Sequence, residues 1–187
     1  MPYIGGEEVN SSPAHAHRRY VINFGDRSEG ECRERYPALM AIVEAKVRPD
    51  RVALPPINGW NRDVAARWWQ LAAERQGLRA AIAGLDRVLV TARVTQWSAL
   101  TFLPAGMVYS EQLIVFPFDS HAAFATLQSR AHEMWARFFS SSMKDDLRYT
   151  PSDCFETFPF PEGWEARADL EAAGQAYYDF RAALMVA

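Results

Sequence analysis

RVLVTARVTQWSALTFLPAGMVYSEQLIVFPF, residues 87–118, is the stretch that decides the fold. It holds three runs dense in Val, Ile, Leu, Thr and Phe: RVLVTARV (87–94), SALTFLP (98–104) and EQLIVFPF (111–118). Branched and aromatic side chains suit a pleated surface, and turn-like residues separate the runs, so the stretch predicts three neighbouring strands. Helical periodicity dominates on both sides. Strands clustered between helices argue an α+β fold, with a mixed or antiparallel central sheet flanked by helices and a C-terminal helix.

Upstream, RYVINF (19–24) alternates and reads as a further strand. In SEGECRERYPALMAIVEAKV (28–47), Ser28 and Glu31 form a capping box and Pro37 restarts the helix at its first turn. Pro49, Pro55 and Pro56 bound a loop. Asn61 is the expected cap of RDVAARWWQLAAER (62–75), with Val64, Ala65, Trp68, Leu71 and Ala72 on one face. GLRAAIAGL (77–85) reads as a short helix. Downstream, Asp119 is the expected cap of one long helix, HAAFATLQSRAHEMWARFF (121–139). SSSMKDDLRYTPSD (140–153) reads as a polar loop and CFETFPFPEGW (154–164) as an extended run fastened against the last helix. EARADLEAAGQAYYDFRAALM (165–185) closes the chain as a helix with Leu170, Ala173, Tyr177 and Leu184 inward.

With 187 residues, the chain suits one domain with a helical appendage, and it can bury a core without staples. No apolar run approaches the length of a membrane span. Cys32 and Cys154 lie far apart with no CxxC, which fits a reducing cytoplasm. Net charge is −3, but unevenly placed. Residues 153–187 carry seven acids and two arginines, whereas residues 60–93 carry six arginines and three acids. Charge segregated this way can leave one basic face on an acidic protein; the alternative is a solvated surface with an acidic tail helix.

The chain lacks GxxxxGK[ST], GxGxxG and GxSxG, and also the glycine-rich cofactor loop and [DNS]PP[YFW] loop of an amino-methyltransferase. His15 and His17 offer two metal ligands, with a third required from His121, His132 or a carboxylate. A self-contained metal nuclease is the sharper alternative: Asp26 followed by Glu44-Ala45-Lys46. That chemistry wants Glu-x-Lys on a strand; on the predicted helix the two side chains diverge by roughly 200°. A protein-interaction domain with no DNA role is the third reading.

PYIGGEEVN (2–10), RYVINFGD, YPALMAIVEAKVRPDR, RWWQLAAERQGLRAAIAGLDRVLVTARVTQ, LQSRAHEMWA and RYTPSDCFETFPFP follow one another along nearly the whole chain. In that order and spacing they make the chain resemble the target recognition domain of the MmeI-like, type IIL restriction-modification enzymes. TARVTQW stands where the family has a basic ending to its strand. The resemblance implies a sequence-specific DNA recognition module of a bifunctional adenine-N6 methyltransferase and endonuclease, without the catalytic parts. PYIGGEEVN would then mark the junction after a methyltransferase domain. Residues 1–160 would form the target recognition domain, with 161–187 a helical extension packed on it. No catalytic residue and no metal or cofactor is expected in this chain; S-adenosylmethionine and Mg would belong to the parent enzyme. Double-stranded DNA and the methyltransferase domain are the implied partners, the cytoplasm the implied location, and no membrane is involved.

DNA contacts divide into those that position and those that specify. The expected backbone contacts are His17, Arg18, Arg19, Arg67, Arg75 and Arg79, with Arg93 a further candidate. Base reading needs long polar side chains on segments that can enter the major groove. Arg93, Thr95, Gln96 and Ser98 on one segment, and Lys144, Asp146 and Arg148 on another, are the candidates. Trp68, Trp135, Phe155, Phe158 and Phe160 have the spacing of core residues.

Overall fold

The computed structural model describes residues 1–72, 75–143 and 146–186. The chain opens with β1 (Pro2–Ile4), α1 (Gly6–Ser11) and β2 (Arg19–Tyr20). RYVINF therefore pairs as a strand only at its first two residues. Its remainder bends because the Asn23 side chain accepts the Gly25 N–H at 2.8 Å, while Phe24 is buried beside Cys32 and Met40.

Helices α2 (Glu29–Arg35), α3 (Pro37–Lys46), α4 (Arg48–Val52) and α5 (Gly59–Ala66) follow. The capping box is present: Glu31 N–H donates to Ser28 Oγ at 3.3 Å, and Ser28 N–H to the Glu31 carboxylate at 2.9 Å. Pro37 opens α3 as expected. Asn58, not Asn61, caps α5, and the Asn61 side chain turns back to the Pro55 carbonyl at 2.7 Å. Helix α5 also stops at Ala66, before both tryptophans. Arg51 takes the carbonyls of Trp68 and Gln70, and Trp68 is buried, so this segment is fixed by side-chain bonds and packing rather than by a helical ladder.

Beyond α6 (Gln76–Ala81) come β3 (Arg87–Ala92), β4 (Val94–Thr95), β5 (Leu100–Pro104), β6 (Val108–Tyr109) and β7 (Leu113–Phe116). The expected long helix is two, α7 (His121–Leu127) and α8 (Arg130–Phe139), because Ser129 starts a second N-terminus by accepting the His132 N–H at 3.2 Å. Ser120 rather than Asp119 caps α7. Where a polar loop is expected, β8 (Ser141–Met143) and β9 (Asp146–Arg148) form an antiparallel pair. Helix α9 (Pro151–Cys154), a 3-10 turn at Trp164–Ala166 and α10 (Ala168–Val186) complete the chain. Among the described residues no helix is long and apolar enough to cross a membrane.

The chain forms two compact units. One comprises Met1 and residues 21–76, with a core of Phe24, Cys32, Met40, Val43 and Trp68. The other comprises residues 2–20 and 77–187. Its described residues form three small sheets, ordered β2-β1-β6, β5-β3-β7 and β4-β9-β8. Strand β3 is the centre of the second sheet, antiparallel to β5 and β7 with Val90 opposite Thr101 and Val115. Both faces of β3 are covered. Val88, Val90 and Ala92 enter one core with Ile4, Leu103 and Leu113, while Leu89 enters another with Leu100, Phe124 and Leu127. Two-sided burial explains why this strand reads as an unbroken apolar run. Phe155 packs on Phe116 and Phe118 and Phe158 on His132, while Phe160 and Trp164 share a cluster with Leu170, so the aromatic run is fastened to β7 and α8 as well as to the start of α10.

Helix α10 packs on α7, and its contact face differs from the expected one. Of the expected set Leu170 lies on it, while Ala173, Tyr177 and Leu184 are exposed, although the Tyr177 ring stacks on Phe124 with centroids 6.0 Å apart. Gly174 is buried, with Leu170, Tyr178 and Arg181 half-buried on the same side. A β-carbon on Gly174 would lie only 2.1 Å from the His121 carbonyl oxygen, so glycine is what permits this approach. Glu171 fastens the crossing by accepting the Ala122 N–H at 2.7 Å.

Candidate nucleic-acid interface

The residue that joins the sheets is Arg93. Its N–H donates to the Gln112 carbonyl at 2.7 Å and its own carbonyl accepts the Tyr149 N–H at 2.8 Å. The backbone is thereby fixed, and the exposed side chain projects from the link between β3 and β4. One step on, Val94 of β4 pairs with Arg148 of β9, whose side chain is also exposed. Arg19 reaches the same place from β2. Its guanidinium is 2.9 Å from Glu8 and lies over the Tyr3 ring, 4.9 Å from the centroid.

Glu8 is buried, and burial by itself would raise its carboxyl. Hydrogen bonds from backbone N–H groups, including that of Gly5 at 3.1 Å, and from Arg19 outweigh this and hold it below the usual carboxylate range. The Gly6 N–H donates to Gln112 Oε1 at 3.2 Å. A β-carbon at Gly5 would sit 3.1 Å from Arg19 Nη2, and one at Gly6 3.3 Å from Gln112 Cβ. The paired glycines of PYIGGEEVN thus let α1 close onto the β6–β7 turn.

These elements enclose a cleft of about 620 Å³ lined by Glu7, Asn10, Arg19, Arg93, Glu111, Gln112 and Arg148. Three guanidinium groups face two carboxylates and two amides. Guanidinium matches guanine O6 and N7 or a phosphate, carboxylate accepts from the cytosine amino group, and amides suit adenine. Such a mixture has the chemistry of base edges, whereas a surface for phosphates alone would be uniformly basic. Two expected base readers, Arg93 and Arg148, meet here with one expected backbone contact, Arg19. Glu7, Asn10, Glu111 and Gln112 were not singled out by the sequence; the glycine pair at 5 and 6, which signals a close backbone approach, was the available clue.

The other candidates are distributed. Thr95 is buried, and its hydroxyl donates to the Trp97 carbonyl at 2.8 Å, so it shapes a turn. Gln96 is exposed and Ser98 half-buried on that turn. Asp146 is half-buried on β9, opposite Met143. Lys144 lies outside the described residues. His17 is half-buried with its ring edge against Tyr20, Arg18 is exposed, and Arg79 is half-buried on α6. Arg67 and Arg75 belong to the other unit, where they line a hollow of about 310 Å³ with Arg51, Asp26 and Asp63. Arg75 adopts a left-handed backbone, φ 50°.

The nuclease constellation is not assembled. Glu44 accepts from Arg33 at 2.9 Å and Arg48 at 2.7 Å, and the Arg33 bond foremost holds its carboxyl below the ordinary value. Lys46 follows two residues later on the same helix, and Asp26 accepts from Gln76 at 3.2 Å. Among the described residues no group of three His, Cys, Asp or Glu could hold a metal ion. His15 instead lies 3.2 Å from the Thr101 hydroxyl.

Sheet edges of this α+β domain bring long polar side chains to one open cleft, and the family match gives its class, that of recognition modules. The family model described as "MmeI, target recognition domain" matches residues 1–162, and the chain belongs to that family. It is also similar, with TM-score 0.69 and 21% identity, to the type IIL restriction-modification enzyme MmeI, solved in complex with DNA. That match covers 92% of this chain and 22% of the enzyme, so the chain spans about a fifth of its length. No curated protein matches the chain.

Proposed function

We propose that this domain reads base sequence in double-stranded DNA, as the specificity module of a type IIL enzyme that joins an adenine-N6 methyltransferase to an endonuclease. The observation that carries the reading is the convergence of Arg19, Arg93 and Arg148, with Glu7, Glu111, Asn10 and Gln112, in a member of the target recognition family. In this reading the chain contributes no chemical step. Methyl transfer from S-adenosylmethionine and Mg-dependent cleavage belong to other domains of the enzyme, and the methyltransferase domain is the partner that shares the duplex. The cytoplasm, where such an enzyme meets DNA, is the proposed location.

The test is fluorescence anisotropy of the 187-residue chain on a labelled duplex of randomised sequence, over a series of salt concentrations. If about four phosphates are neutralised, log affinity falls against log salt with a slope of roughly −3.6. Arg67→Ala and Arg75→Ala each flatten the slope by about one if they touch phosphates, whereas Arg148→Ala, read by selection from the same randomised library, relaxes the preference at one position by ~1–3 kcal/mol. A wild-type slope near zero would sink the proposal.

A further inference from the structure

The turn that presents Gln96 and Trp97 is held from behind by side chains of three separate segments. The Gln96 carbonyl accepts from Arg137 of α8 at 3.0 Å, and Arg137 is itself anchored on Glu133 at 3.0 Å. The Ser98 carbonyl accepts from Gln128 Nε2 at 2.6 Å, and the Leu100 N–H donates to Gln128 Oε1 at 2.8 Å. Arg181 of α10 donates to the same Oε1 at 3.0 Å and also to the Leu100 carbonyl. Arg181 lies over the rings of Phe124, 5.2 Å, and Tyr178, 5.6 Å.

This arrangement leaves the Gln128 amide one orientation. A carboxamide has two donors at one end and an acceptor at the other. Flipping it would set its NH₂ against the Leu100 N–H and a guanidinium, and its oxygen against the Ser98 carbonyl. Arg181 therefore fixes Gln128, and Gln128 fixes the turn. In front, Gln96 is exposed and Trp97 is 71% exposed. An indole left in water on a turn bonded at alternate carbonyls has its ordering cost met before any partner arrives.

We propose that Arg181, Gln128 and Arg137 are positioning residues for DNA reading: they preset the turn of residues 95–100 so that Gln96 and Trp97 meet the bases in one geometry. The proposal rests on the DNA-reading function above and extends it to α10, which lies beyond the residues 1–162 that the family model matches. The amide of Gln96 suits adenine N6 and N7, and the apolar indole suits the thymine methyl group, so the turn is directed at an A·T pair.

The test has two arms on the 187-residue chain. The first needs no DNA: amide hydrogen exchange of wild type, Arg181→Met and Arg137→Ala. Arg181→Met speeds exchange at Leu100 by about tenfold while the β3 amides stay protected, because the opening is local. Arg181→Lys, which keeps one donor group, restores part of that protection. The second arm is selection from a randomised duplex library. Both variants lose about tenfold of the preference at one or two adjacent A·T positions and keep affinity for the unselected library within about twofold. Arg137 is on the surface, so Arg137→Ala reports even if Arg181→Met fails to fold. A wild-type motif that persists unchanged in the variants, or a uniform loss of affinity together with β3 protection, overturns the positioning role. A wild-type chain that enriches no motif overturns the DNA reading itself, whatever the exchange arm shows about the turn.

Discussion

Gly174→Ala separates two opposed effects by sign. In an exposed helix the change from glycine to alanine stabilises by about 1 kcal/mol, because alanine loses less backbone freedom. At Gly174 the new methyl group would stand 2.1 Å from the His121 carbonyl oxygen and 2.8 Å from its carbonyl carbon. A carbon–oxygen contact settles at roughly 3.3 Å or more, so α10 must retreat by about 1 Å. The obstacle is backbone at the start of α7, so no rotamer change relieves it. Overpacking of this kind costs about 1–3 kcal/mol. The retreat also stretches the bonds from Ala122 to Glu171 and from Arg181 to Gln128, each worth about 0.5–1.5 kcal/mol. We expect a net destabilisation of about 1–5 kcal/mol, the upper end if both stretched bonds are lost, or roughly 2–4 °C in Tm for each kcal/mol. Urea unfolding followed by circular dichroism measures it. Gly30→Ala in α2, where a β-carbon meets nothing within 4 Å, is the control and should gain stability. If Gly174→Ala gains as much as Gly30→Ala, the close crossing of α10 on α7 is wrong.

Two further outcomes are expected. Burial holds the His132 imidazole below its ordinary value of 6.5, against the pull of its bond to the Leu127 carbonyl. The unfolded chain then binds a proton that the folded chain refuses, so stability is full above about pH 6.5 and falls as pH drops. His15, also lowered by burial, adds in the same sense, so the slope of Tm between pH 5 and 7 in His132→Gln should be flatter than in wild type but not zero. Glu8→Ala removes the buried acceptor of the Gly5 N–H and leaves Arg19 without its carboxylate. It should lower stability by about 1–3 kcal/mol in urea and raise non-specific duplex affinity, since the cleft gains net positive charge. Unchanged affinity with lowered stability would mean that Arg19 and Glu8 only build the cleft.

The elements legible in the sequence are those whose own residues decide them. The strands of residues 87–118 are apolar because β3 is covered on both sides, and the capping box at Ser28 and Glu31 needs nothing beyond its own four residues. The misread elements are decided by distant partners. SSSMKDDLR has few strand formers, and β9 exists because β4 and β8 offer it hydrogen bonds. For α10, a periodic reading counts apolar side chains, which finds Leu170 but also turns Ala173, Tyr177 and Leu184 inward. A glycine that admits a neighbouring helix, and an arginine that reaches back to Gln128, score nothing in such a count.

The same distinction runs through the site. Arg93 and Arg148 are recognisable in isolation as long cationic side chains beside predicted strand ends, and Arg19 as part of a basic run. Asn10, Glu111 and Gln112 are ordinary surface residues until β1 pairs with β6 and β4 with β9, which joins Tyr3 to Val108 and Val94 to Arg148 across long stretches of chain. The glycines at 5 and 6 were legible as a family motif and illegible as a mechanism. Their role follows only once α1 is seen to close on Gln112, with Glu8 turned inward to hold Arg19. A larger residue at either position would press on the side chains that shape the cleft. The motif therefore reports on the cleft itself, which takes shape where α1 meets the β6–β7 turn.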